Sequence, residues 1–180
     1  FATAWWRKME SPMLSAYEGV FHPLEHLQML RGAGDGFFAE PDIYSVAFSY
    51  PDGRQDYFLH PPVTMLFGRL LGAGEMGTWE ALHTIAGTLA VWWIIYLLFK
   101  RFRWPSPVAC ATVLLAAVLW LDPVRFNFYY GELAIFAVAF VATDLWWTRP
   151  AQFQRWVPKG MLTGIAAAFN TPLGGIVFAI

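Results

Sequence analysis

The residues best equipped for chemistry lie in one short polar and aromatic turn, Leu121-Asp122-Pro123-Val124-Arg125-Phe126-Asn127-Phe128-Tyr129-Tyr130-Gly131-Glu132, set between apolar runs at 108–121 and 133–147. Two carboxylates, an arginine and an amide where two candidate membrane spans meet water are costly in lipid. They mark a cavity or interface with a function. Arg125 suits either of two tasks, snorkelling to the interface or pairing with a phosphate. A second group, His22-Pro23-Leu24-Glu25-His26, spells the His-x-x-Glu-His zinc pattern. That pattern needs both histidines on one helical face, and Pro23 disturbs the first turn while no third ligand follows, so no metal site is expected. Asn170-Thr171-Pro172 interrupts a further apolar segment. It is either a proline kink or a polar group brought into a cavity.

Composition says what must hold these groups. The 180 residues are 57% hydrophobic, 18% aromatic and only 14% charged, where a soluble domain carries roughly a quarter charged. A net charge of −1 excludes the basic surface of a nucleic-acid binder. Cys110 stands alone inside an apolar run, so neither a disulfide framework nor a redox motif exists.

The expected fold class is therefore an all-α, multi-pass transmembrane bundle with a long extracytoplasmic loop carrying surface helices. Residues 1–8 read as the end of a span that begins upstream. Residues 9–77 read as the outer loop, and 78–180 as a four-span region that continues past Ile180. Within the loop, helical spacing over 13–31 predicts an amphipathic surface helix ending at Gly32-Ala33-Gly34. Residues 36–57 read as loop with a turn at Pro51-Asp52-Gly53, and 63–71 as a helix too short to span. Spans are expected at 78–99, from Pro105-Ser106-Pro107 to Leu121, at 133–147, and from Gly160 onward.

Charge orients them. Six of the twelve basic residues (Lys100, Arg101, Arg103, Arg149, Arg155 and Lys159) occupy two loops without acidic residues, which the positive-inside rule places in the cytoplasm. The polar stretch and the 9–80 segment, with ten of the thirteen acidic residues, then share the opposite side.

In their order, three stretches carry a family resemblance: Tyr57-Phe58-Leu59-His60-Pro61-Pro62; Asp122-Pro123-Val124 through Tyr130-Gly131-Glu132; and Pro158-Lys159-Gly160 through Ala166-Ala167-Ala168-Phe169-Asn170-Thr171-Pro172. Together they resemble the polyprenol-phosphate-mannose-dependent mannosyltransferases, glycosyltransferase family 87 of the GT-C superfamily. The resemblance implies a GT-C-like helical bundle in the bacterial plasma membrane with an extracytoplasmic active site. It implies no cofactor beyond the lipid-linked sugar phosphate donor. The partners would be a polyprenyl-phosphate sugar, a glycolipid or lipoglycan acceptor, and membrane lipid.

By the same resemblance the catalytic carboxylate is Glu18, in Glu18-Gly19-Val20-Phe21, which lies at the family's distance upstream of His60. Asp42, in Asp42-Ile43-Tyr44, ranks second and Asp35 third. Arg125, Glu132, His60 and Asn170 would bind substrate. The sequence departs from the pattern at Glu18 for aspartate, Glu132 for glutamine, Asn170 for lysine and His60 for tyrosine, as a divergent member would. Two other readings stand beside this one: a lipid-linked arabinofuranosyltransferase, and a non-catalytic membrane subunit or transporter segment.

Overall fold

The computed structural model describes residues 25–36, 47–49, 55–57, 61–148 and 150–169. In chain order they form α1 (Glu25–Gly36), β1 (Ala47–Ser49), β2 (Gln55–Tyr57), α2 (Pro62–Gly72), α3 (Met76–Arg101), α4 (Pro107–Leu119), α5 (Asp122–Tyr130), α6 (Ala134–Trp146), α7 (Ala151–Trp156) and α8 (Met161–Phe169). The described chain is thus helical except for one two-stranded antiparallel ladder, in which Ala47 pairs with Tyr57, Phe48 with Asp56 and Ser49 with Gln55. This ladder corrects the loop reading of 36–57.

The chain divides into two units, 1–84 with 126–132 and 85–125 with 133–180. In the first, α1 and α2 pack closely. Leu27, Leu30 and Ala33 of α1 and Thr64, Met65 and Leu71 of α2 are fully buried. Pro62 opens α2 where its missing N–H costs nothing, and the Thr64 hydroxyl donates to the Pro61 carbonyl at 2.6 Å.

Glycine sets the closeness of that pair. A Cβ built on Gly34 would collide with the Gly68–Arg69 backbone, and one on Gly68 with the Leu30 carbonyl. Small residues let two helix backbones approach in this way. Gly32-Ala33-Gly34 therefore does not end α1, as the sequence suggested. The helix runs on to Gly36, because Gly34 is a contact point rather than a cap. The portion of the expected helix before Glu25 lies outside the described residues.

Across the second unit runs most of α3, whose 26 residues give about 39 Å of rise, enough for a hydrocarbon core of about 30 Å. Leu82, Ile85 and Leu89 recur on one exposed face of it, and Lys100 and Arg101 close it, favourably placed against the helix dipole. It is the helix among those described that is long and apolar enough to cross a membrane alone. The turn to α4 holds Arg103 and Ser106 at positive φ, a conformation of some cost to residues with a Cβ.

α4 and α6 have 13 residues each, about 20 Å of rise, less than a bilayer core. The expected separate spans at 107–121 and 133–147 are shortened accordingly. α4 and α5 pass as a span only when taken together, with a 75° bend between them. Buried alanines (Ala137 and Ala142 on α6, Ala166 on α8) line the second unit's core with Val91, Ile95 and Leu97 of α3, and α6 and α8 pack together.

The stretch 121–132 is mostly helix, not the turn its composition suggested. Pro123 sits in the first turn of α5, where it is tolerated. The stop comes at Gly131, whose φ of 71° lets the Glu132 N–H reach the Asn127 carbonyl at 3.0 Å.

The glycine contact makes a specific expectation. Gly68→Ala in the full-length protein should cost roughly 1–3 kcal/mol by overpacking and lower the thermal midpoint in detergent. Gly164→Ala, with open space around its Cβ position, should leave the midpoint unchanged or raise it by up to about 1 kcal/mol of helix propensity. Equal midpoints for the two variants would contradict the packing described.

Candidate functional site

In the first unit, the end of α5 is gathered around Glu132. Asn127, buried on α5, donates its amide to the Glu132 carboxylate at 3.4 Å. His83, also buried, hydrogen-bonds through Nε2 to the Glu132 backbone carbonyl at 3.1 Å, which requires the proton on that nitrogen. Its ring meets Phe128 edge-on at 6.2 Å. Around this core, Phe126 stacks on Tyr130 at 5.9 Å, Tyr129 meets Tyr130 edge-on at 5.2 Å, and His26 of α1 lies 6.2 Å from Tyr130. The end of α5 thus carries a carboxylate held by an amide, and a cluster of aromatic rings on the same short helix.

Arg125 belongs to the second unit and is only 4% exposed. Its Nη1 lies 3.6 Å from the Asp122 carboxylate one turn earlier, and its guanidinium 5.8 Å from the Trp120 ring. Charge pairing and a cation–π contact hold the head group in place. A guanidinium fork is the side chain best matched to a phosphate oxygen pair.

Elsewhere in the second unit, the buried Asp144 carboxylate of α6 accepts the Thr163 N–H at 2.6 Å. That amide is one of the first-turn donors of α8 that no helical carbonyl can reach. Beside it an open cleft of about 510 Å³ is lined by Asp144, Trp146, Trp147, Thr148, Gln154 and Lys159, with Leu145 and Pro158. Trp93 donates its indole N–H to Thr143 at 2.8 Å, one residue away on α6.

Of the residues expected from sequence, Glu18, Asp42, His60 and Asn170 lie outside the described residues. Asp35 falls at the end of α1, its side chain outside the description. Arg125 and Glu132 are both described, one in each unit. His83 and Asn127, which brace Glu132, were not singled out. A histidine two turns into an apolar helix was the available signal for the first. Of the zinc-like pattern, His22 is outside the described residues. Among the described residues, no three His, Cys, Asp or Glu side chains gather as a metal site would require.

The model for glycosyltransferase family 87 matches residues 58–180, more than half of the chain. No curated protein and no solved structure matches it.

The brace on Glu132 can be tested by itself. His83→Phe keeps an aromatic ring against Phe128 and removes the donor to the Glu132 carbonyl. It should cost about 1–2 kcal/mol, read as a lower thermal midpoint of the full-length protein. An unchanged midpoint would mean that the hydrogen bond contributes nothing.

Proposed function

The chain belongs to glycosyltransferase family 87, which implies glycosyl transfer at a membrane, and we propose that its donor is a polyprenyl-phosphate sugar, mannose first. The acceptor is an extracytoplasmic glycolipid or lipoglycan, and the protein is a multi-pass GT-C enzyme. The observation that carries this reading is the burial of Arg125 within the family-matched stretch, at the bend between α4 and α5. A lipid-anchored donor presents its sugar phosphate at the membrane interface, and a buried guanidinium at an apolar helix end suits that anion.

In the reaction the acceptor hydroxyl oxygen attacks the anomeric carbon, and the bond from that carbon to the phosphate oxygen breaks. The electron pair leaves with the polyprenyl phosphate, where Arg125 offsets the growing negative charge. A carboxylate takes the acceptor proton as the new bond forms. Glu18 is the first assignment for that base, with Asp42 and Asp35 after it. Glu132, steadied by Asn127, accepts hydrogen bonds from sugar hydroxyls, alongside His60 and Asn170. Acidic residues outnumber basic ones over 9–80, on the side that the positive-inside rule makes extracytoplasmic.

The test is transfer of labelled sugar in membranes carrying the full-length protein. Glu18→Gln should lower the rate about 10²–10⁴-fold, as loss of a general base does. Arg125→Ala should lower it about 10²–10³-fold, and Arg125→Lys by less, because charge remains without the fork. Full activity in Glu18→Gln, Asp42→Asn and Asp35→Asn alike would overturn the base assignment. Full activity in Arg125→Ala would overturn the role of the guanidinium.

A further inference from the structure

The cleft at the end of α6 lies outside the site just described and has its own chemistry. A buried carboxylate, Asp144, and an exposed ammonium, Lys159, both line it. Trp146 and Trp147 form its aromatic wall, and Thr148 and Gln154 add polar groups. The wall is anchored: Trp147 meets Trp93 edge-on at 6.0 Å and Phe153 at 4.9 Å. Asp144 is fixed by the Thr163 N–H.

Its aromatic surroundings suit a membrane interface. The apolar helix α6 ends here in two tryptophans, the aromatic pair expected at headgroup level. The short helix α7 follows, with Trp156 84% exposed beside Arg155, an arrangement that seats an apolar ring in lipid and a cation among phosphates.

We infer that this cleft binds the headgroup of an aminophospholipid, phosphatidylethanolamine, with its ammonium toward Asp144 and the Trp147 face and its phosphate toward Lys159, Gln154 and Thr148. A purely anionic headgroup could meet Lys159 but would bring its charge against the Asp144 carboxylate, whereas a zwitterionic one matches both. A choline headgroup has no N–H to donate to the carboxylate, whereas an ethanolamine ammonium has three. The volume, about 510 Å³, falls within the range of small-molecule sites. The inference rests on the membrane reading above. It assigns lipid recognition to the basic 148–159 loop.

Native mass spectrometry of the full-length protein in detergent, offered equal amounts of phosphatidylethanolamine, phosphatidylcholine and phosphatidylglycerol, tests it. Phosphatidylethanolamine should be retained about tenfold above either competitor, the effect of one charge-assisted contact. Lys159→Gln, an exposed change that leaves the fold intact, should reduce that retention about tenfold. Asp144→Asn should shift the preference toward phosphatidylglycerol. Should that variant fail to fold, the Lys159 variant and the competition among the three lipids decide. Phosphatidylglycerol or phosphatidylcholine retained at or above phosphatidylethanolamine, or unchanged retention in Lys159→Gln, would overturn the inference. Sugar transfer assayed separately in phosphatidylcholine vesicles keeps the two readings apart. Lipid preference without transfer would count against the proposed function alone, and transfer without lipid preference against this inference alone.

Discussion

Polar groups held among apolar helices need partners inside the protein, and that constraint governs most of what the structure does. Away from water such groups are costly unless answered locally, and most are, although Trp79 Nε1 and Asn127 Oδ1 are buried without a hydrogen-bond partner. The answers are visible one by one: Asp122 and Trp120 around Arg125, Asn127 and His83 around Glu132, Asp144 on the first turn of α8, and Thr143 receiving the Trp93 indole. These contacts fix the ends and bends of the helices, while alanines and glycines fix their spacing.

The bend at Trp120-Leu121 follows from the same constraint. A straight helix continuing from α4 would extend an apolar rod with Asp122 and Arg125, groups that need polar partners. Breaking the helix and restarting it at 75° keeps the backbone bonded, with the Val124 and Arg125 N–H groups both reaching the Leu121 carbonyl. The polar side chains gain a helical frame instead of a loose turn. A guanidinium held on a helix keeps a narrower range of positions than one on a loop, which suits the stabilisation of a departing phosphate.

How much of this was legible in the sequence varies with the range of the forces involved. The apolar length of α3 and its cationic end are local properties, and residues 78–99 located it to within two residues at each end. Arg125 stood out because a charge between apolar runs is expensive wherever it falls. The helix at 122–130 was hidden by its polar composition, and Pro123 is no obstacle to it because a proline is at home in a first turn. Gly34 misled: a glycine reads as a stop unless the helix that presses against it is known, and Gly68 of α2 is remote in sequence. His83 was invisible as a brace because its partner lies 49 residues away. Of the carboxylates that the family resemblance brought forward as bases, Glu18 was ranked by spacing and Asp42 by residue type, and both lie outside the described residues.

The central claim is that a lipid-linked sugar, and not a nucleotide sugar, is the donor at this site. The most direct measurement gives the full-length protein in proteoliposomes either polyprenyl-phosphate mannose or nucleotide-linked mannose, with a glycolipid acceptor, and follows both products. Glycosylated acceptor and free polyprenyl phosphate appearing in equal amounts, from the lipid donor alone, is the predicted result. Product formed from the nucleotide sugar in the absence of any lipid donor, or a lipid donor left unconsumed, would contradict it.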